Sequence, residues 1–559
     1  MRNLQLLQIT GAHLTGSYSL LPRELIWLCW LESPLKSLPS DFHLSKLVIL
    51  DMQESNVQKL WKGTKILNKL KILNLSYSKC LVKTPNFRGL PSLERLILVE
   101  CTSLVEVHQS IGNLKSLVLL NMKDCNSLKT LPESMGSLNT LQTLNVTECW
   151  QLEKLPDSLG GQESLIELFT NGSAIKQLPT SARYLKKLTN LSFGRYKNVF
   201  YSPDPPSKSR FSRFSSWLSP KSCSSSIAML PASFTSFSSL KELDLSYVGL
   251  SDAISSIDLG SLSFLEDLNL SGNGFFNLPS GISCFPKLQY FMVERCKNLL
   301  SILELPSNIL FLSINDCTSI ERVSAPLHHE RLPFLSVKGC RNLIKIQGME
   351  FEGNYWSILN LDDCNNLSEK YKMSLIQYEI CLAGDEIPEW FSHRGEGAAL
   401  SFHMPSVSVP DSNKLQALLF WVVFASTNEA TPQPSDLPFD GCCGAILKNK
   451  SNGIELFGTM TFVTSDRNSS KHSWIQRVSL IKLEESLEGV EELELNVKVS
   501  LYNDRKWWVE KCGVHLIMEK SKADSDIHGE KWDHEIDLHA LNSSTTDDQR
   551  LESSLIREL

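Results

Sequence analysis

The chain is most informative first in what it is short of. No uninterrupted apolar run reaches the roughly 18 residues a membrane helix needs. LLFWVVFA, at Leu418–Ala425, is only strand length, and no membrane partner is expected. The opening MRNLQLLQIT has no apolar core followed by a small-residue cleavage site, so no secretory signal is read there. An excess of positive charge is also missing: 55 Lys and Arg stand against 62 Asp and Glu, for a formal charge of −7. Ten acidic and four basic residues between Ser521 and Leu559 account for −6 of it. The remainder is near neutral, without the basic stripe that phosphate backbones require, which argues against a nucleic-acid partner. Catalytic signatures are lacking as well. There is no G-x-x-x-x-G-K-[ST], H-E-x-x-H or G-x-S-x-G, so neither an enzyme nor a cofactor is expected. His328, His329 and Glu330 fall in a repeat connection and read as a solvated loop.

What is present is a period. Leucines recur as L-x-x-L-x-L-x-x-C-x-x-L-x-x-L-P, with Cys101, Cys125 and Cys149 each 24 residues apart. About 15 such units begin near Leu4 and end near Trp356. A period of this length is the mark of stacked repeats. The x-L-x-L-x stretch alternates as a half-buried strand does, and no unit can bury its leucines alone. Strands stacked about 4.8 Å apart give a parallel inner sheet, with loop or 3₁₀ segments outside forcing a horseshoe. The expected fold is therefore an α/β leucine-rich-repeat solenoid over residues 1–370, followed by an all-β sandwich.

The turn after each strand is filled by Ser55, Ser78, Cys101, Cys125, Cys149, Ser173, Asn273, Cys296, Cys317, Cys340 and Cys364. Such side chains can meet backbone carbonyls that a turn leaves unpaired. Metal ligation would need several thiolates about one point, whereas these lie in a line, so no metal is expected. Fifteen cysteines, an odd number, placed this way argue for a reducing compartment rather than a disulfide framework. Asn74, Asn121, Asn145, Asn269 and Asn360 share one strand position and read as a stacked amide ladder.

Function is expected on the outward strand positions: Arg95, Ile97, Glu167, Phe169, Tyr290, Met292, Glu294, Phe311, Phe334 and Lys338. Aromatic, Met and Arg side chains on an open sheet face are suited to a protein ligand.

Two features break the pattern. Between Leu188 and Leu240 the period fails, and a Ser-rich, basic stretch at about 196–230 reads as a loop. From 371 to 520, short β-type runs separated by turn signals argue for an antiparallel sandwich. In it GDEIPEWF places Trp390 and Phe391 as a plug at one end, and Cys442–Cys443 reads as a turn. The acidic stretch 521–559 is expected to be disordered.

These elements resemble the repeat and C-terminal regions of plant TIR–nucleotide-binding–leucine-rich-repeat immune receptors. The resemblance is carried by LPRELIWLCWLESPLKSLPSDF, SIGNLKSLVLLNMKDCNSLKTLPESMGSL, SRFSSWL, GDEIPEWF and CGVHLIMEK, and covers roughly Met1 to Lys520. It departs at Ala383, where the family usually has proline before its glycine. The resemblance implies that the second domain is the family's jelly-roll/Ig-like domain. It further implies that the chain senses a pathogen effector, in the cytoplasm or nucleus, on behalf of TIR and nucleotide-binding domains. The family's NAD-cleaving TIR domain and its P-loop domain are absent from these residues. An intracellular repeat scaffold or adaptor unrelated to immunity is the competing reading.

Overall fold

A three-residue strand has one side chain to bury and two to spend, which sets the repeat geometry. A computed structural model describes residues 3–14, 17–194, 236–251, 259, 262–324, 334–348, 358–375, 378–404, 415–426, 441–463, 471–479, 490–501 and 507–518. The Ser-rich stretch, the His328–Glu330 cluster and the acidic 521–559 stretch lie outside these residues. The chain divides into two compact units: residues 1–345 with 364–366, and residues 346–363 with 367–559.

In the first unit, strands such as Arg95–Ile97, Leu119–Asn121, Thr143–Asn145 and Glu167–Phe169 pair in parallel, residue for residue. Their central Leu96, Leu120, Leu144 and Leu168 have no exposed surface. Each buried leucine contributes about 1.5–3 kcal/mol, and only stacking makes the burial available. The outer side carries 3₁₀ turns, Gln109–Asn113, Glu133–Ser137, Asp157–Gly161 and Thr180–Tyr184. The helical half of the expected α/β class is thus reduced: among the described residues the one α-helix is Glu369–Ser374, in the second unit. The fold is a β-solenoid. Repeats of 23 or 24 residues leave too little chain for a helix long enough to sustain itself.

Proline and glycine set these turns. Pro132, Pro156 and Pro179 precede three of them in extended conformation, where proline's fixed φ is already correct. Gly112 and Gly160 let successive turns approach. A Cβ on Gly112 would sit 2.5 Å from the Ser134 carbonyl oxygen, and one on Gly160 2.1 Å from that of Ser181.

The turn after each strand is built around a left-handed residue: Glu54, Tyr77, Glu100, Asp124 and Glu148 have φ between 55° and 62°. The N–H groups of Glu100, Asp124 and Glu148 donate forward to Lys123, Thr147 and Asn171 carbonyls of the next repeat at 2.7–2.8 Å. The following side chain donates backward. Cys101, Cys125 and Cys149 donate to the Leu75, Leu98 and Met122 carbonyls, each at 3.2 Å. Cys296, Cys317, Cys340 and Cys364 do the same toward Leu270, Val293, Ile314 and Val337, at 2.9–3.5 Å. Asn273 takes this place with its amide, 2.9 Å from Leu245 O, and Ser78 with its hydroxyl, 3.3 Å from Met52 O. Ser55 shares a hydroxyl contact with Ser78 at 2.8 Å. Ser173 accepts from the Ile175 N–H.

The asparagines do something other than stack. Asn74, Asn121, Asn145, Asn269 and Asn360 each accept the N–H two residues on, from Ser76, Lys123, Thr147, Ser271 and Asp362. An amide at a strand end finds its own turn closer than its neighbour's amide.

In the second unit, Ile358–Asn360 pairs in parallel with Glu379–Ala383, whose other edge pairs antiparallel with Lys471–Ser479. Leu415–Ser426 runs antiparallel between Lys471–Ser479 and Trp507–Met518, and His393–Glu396 follows Trp507–Met518. A second sheet is ordered Ala399–His403, Glu492–Leu501, Gly441–Asn449, Glu455–Val463. Side chains from both sheets, including Phe402, Phe420, Cys443, Leu495 and Cys512, form one buried apolar cluster. Cys442–Cys443 therefore opens a strand rather than making a turn: pairing with Glu492–Leu501 brings Cys443 into this cluster. Trp390 and Phe391 do not plug an end. Phe391 meets Trp421 edge-on at 5.5 Å and Trp390 meets His515 at 4.9 Å. Trp421 alternates with the clustered Phe420 and Val422, so the pair covers the sheet's opposite face. Two buried polar pairs are matched here: His472 Nδ1 lies 3.1 Å from Asp362 Oδ2, and Trp474 Nε1 donates to Glu379 Oε1 at 2.8 Å.

Two outcomes are expected. Gly160→Ala should lower stability by about 1–3 kcal/mol in a denaturant titration, since the obstructing atom is backbone. An unchanged midpoint would contradict the close stacking. Burial pushes the Cys101 and Cys149 thiols up to about 12, while Cys80 and Cys284 are exposed. Native-state alkylation followed by mass spectrometry should label Cys80 and Cys284 before the ladder cysteines. Equal labelling of the ladder cysteines would show that they are not sealed.

Candidate ligand face of the repeats

The x-L-x strand leaves its first and third side chains on the open face of the sheet, and parallel register lines them up across repeats. The first row runs Arg95, Leu119, Thr143, Glu167, Asn190, Glu242, Asp267, Tyr290, Phe311 and Phe334. Beside it, in the third positions, runs Ile97, Asn121, Asn145, Phe169, Ser192, Asp244, Asn269 and Met292.

The expected contact residues are thereby placed. Arg95 is exposed and Ile97 half-buried, but they stand seven strands from Tyr290, roughly 34 Å at about 4.8 Å per strand. Glu167 and Phe169 are half-buried on one strand, and Thr143 Oγ1 donates to Glu167 Oε2 at 2.8 Å. Tyr290, Met292, Phe311 and Phe334 come together. Tyr290 is 46% exposed and lies 6.3 Å from Phe311. Phe311 stacks on Phe334 at 4.7 Å with 4° between the rings. Phe334 keeps the outward register but is only 7% exposed, so it flanks the stack and offers a ligand little surface. Glu294 is half-buried and accepts from Ser313 Oγ at 2.5 Å and Asn315 Nδ2 at 3.1 Å. Lys338 is half-buried, and its N–H donates to Asn315 Oδ1 at 3.1 Å.

Three acidic residues were missed. Glu242, Asp244 and Asp267 sit between Glu167 and Tyr290 on the same face. The signal was available in ELD and DLN, which are x-L-x strands flanked by carboxylates. Burial, then repulsion from Glu242 and Asp244, pushes the Asp267 carboxyl up to about 6. Burial raises Asp244 as well, against bonds from Ser246 and Asn171. Lys241, the nearest cation in sequence, is engaged with Glu266 at 3.0 Å. Among the described residues no group of three or more His, Cys, Asp or Glu could hold a metal ion. No helix among them is long and apolar enough to cross a membrane.

Parallel x-L-x strands, left-handed turns and 3₁₀ connections define a leucine-rich-repeat protein, and the Leucine Rich Repeat family profile matches residues 46–65. Its curated relatives are plant resistance proteins. TMV resistance protein N of Nicotiana glutinosa is 28% identical over 461 residues, 72% of this chain and 39% of that one. Disease resistance-like protein DSC1 of Arabidopsis thaliana is 31% identical over 448 residues, 70% of this chain and 36% of that one. Among solved structures, a leucine-rich-repeat protein of Leptospira interrogans is 20% identical, covering 66% of this chain and all of that one with a TM-score of 0.35. The chain is homologous to plant TIR–nucleotide-binding–leucine-rich-repeat disease-resistance proteins over their repeat-containing part. It spans less than two fifths of the length of the two relatives named above.

A carboxyl whose folded value is raised stabilises the fold below its unfolded value, near 3.9, and loses that contribution as pH climbs through about 6. Asp267→Asn should therefore raise stability at pH near 7.5, by on the order of 1–2 kcal/mol, and change little near pH 3.5. Denaturant midpoints at the two pH values measure this. A destabilised variant at the higher pH would show that the carboxylate is satisfied as it stands.

Proposed function

We propose that this chain is the recognition region of an intracellular plant immune receptor, and that it binds a pathogen effector protein to control defence signalling. The observation that carries this reading is the open sheet face, where Tyr290, Met292, Glu242 and Arg95 remain uncovered or partly uncovered beside a fully buried leucine row. A surface of aromatic and charged side chains over a rigid support is energetically suited to a protein partner. Homology to resistance proteins supports the immune context. In this reading residues 1–370 form the repeat domain, and 371–520 a jelly-roll or Ig-like sandwich that shares in recognition. TIR and nucleotide-binding domains are further partners within a longer receptor. The region works without catalysis of its own, in the cytoplasm or nucleus.

The test is co-expression in leaf tissue with a panel of secreted pathogen proteins, read by split-luciferase complementation. A partner should be found whose signal falls at least about tenfold for Glu167→Lys or Tyr290→Ala. Stability of those variants should stay within about 0.5 kcal/mol of the wild type. A partner that binds both variants undiminished would remove the sheet face from the reading. Absence of any partner from the panel would count against effector recognition itself.

A further inference from the structure

The chemistry of the central repeats narrows the partner. From Glu167 to the strand before Tyr290, the two outward rows hold four carboxylates, Glu167, Glu242, Asp244 and Asp267, and no Lys or Arg. Glu242 and Asp267 are register neighbours, and Asp244 lies two residues beyond Glu242 on the same strand and face. Neither these three nor Glu167 makes an ion pair among the described residues, and Lys241 is already held by Glu266. Asn171 adds a second, independent sign. Its Nδ2 donates to Asp244 Oδ2 at 3.0 Å, while its Oδ1 is buried with no donor. A buried acceptor without a donor loses its hydration uncompensated, and clustered carboxylates repel one another. Both penalties fall when a cationic N–H donor arrives.

Directly along the same row the surface changes character. Tyr290 is exposed and backed by Phe311, which is stacked in turn on Phe334. Acceptors and a firm aromatic plate thus lie one strand spacing apart, about 4.8 Å. A guanidinium suits both halves, since its planar fork satisfies several oxygens at once and its face stacks on aromatic rings. An ammonium group presents a point charge without that fork.

We propose that this part of the face receives an extended segment of the partner protein carrying arginine next to an apolar side chain. The arginine is seated among Glu242, Asp244, Asp267 and Asn171, and the apolar group rests on Tyr290. The inference builds on the reading of the sheet face as a protein-binding surface and names the chemistry it selects.

The experiment uses the full chain and a fluorescein-labelled peptide alternating arginine, phenylalanine and glycine, followed by fluorescence anisotropy. Its citrulline analogue keeps the shape and removes the charge. Saturable binding below about 1 mM is expected, weakened about tenfold or more by citrulline and by raising salt from about 50 to about 500 mM. Asp267→Asn, Glu242→Gln and Tyr290→Ala should each weaken it several-fold. Because Asp267→Asn is expected to fold at least as stably as the wild type near neutral pH, its loss of binding cannot be put down to unfolding. No saturable binding, equal affinity for the citrulline peptide, or undiminished binding by the variants would each overturn the inference. A natural partner that needs Tyr290 but ignores Asp267 and Glu242 would overturn this inference alone. Arginine-dependent peptide binding in a chain that finds no effector would uphold it and count against the immune reading.

Discussion

Every repeat depends on a hydrogen bond that leaves it. In repeats such as those of Glu100, Asp124 and Glu148, the left-handed residue after the strand sends its N–H forward to the next repeat. The thiol behind it reaches back to a carbonyl of the previous one, as the Ser78 hydroxyl and Asn273 amide also do. Left-handed backbone at Glu100, Asp124 or Glu148 is unfavourable by itself, on the order of 1–2 kcal/mol each. It persists because it closes both bonds and drops the next leucine into the stack. The same turn explains the cysteines. A thiol is small enough for a sealed site and donates weakly to a carbonyl that would otherwise go unpaired.

That constraint frees the open face. The central leucine and the turn hold the strand, and a third-position Asn or Asp has only to accept its turn's N–H, so the first and third residues are otherwise free to gather unfavourable charges. Glu242, Asp244 and Asp267 do so, and the strain is seen in the raised Asp267 carboxyl. Where the face turns aromatic, Phe334 stacks beside Phe311 and Phe311 beside Tyr290, so that Tyr290 ends a row of rings rather than standing as a lone flexible one.

The repeat was legible because one slot per unit is sealed, and a sealed slot accepts few side chains. Cys101, Cys125 and Cys149 announce the period for that reason. Positions facing outward obey no such rule. Glu242, Asp244 and Asp267 follow the break between Leu188 and Leu240, where the eye loses the frame, and their meaning arises only from neighbours 25 residues away. The asparagines were misjudged because equal spacing was read as mutual contact, although each side chain turns to its own N–H. Phe334 misled in another way. Alternation gives the side of the sheet, and an adjacent ring decides how much of that side is open. Cys442–Cys443 looked like a turn between glycines because the pairing that makes it a strand comes from distant residues, Glu455–Val463 on one edge and Glu492–Leu501 on the other.

In the second unit, Ile358–Asn360 hands its hydrogen-bonding groups to Glu379–Ala383, which in turn is closed by Lys471–Ser479. A repeat strand with that neighbour removed would expose a row of unpaired N–H and C=O groups, the template on which another chain can add a strand. A polypeptide cut after residue 370 would end on such a sticky edge. Glu379–Ala383, pairing in parallel on that edge, thus serves as a stopper against self-association and passes the sheet on to its antiparallel neighbour Lys471–Ser479.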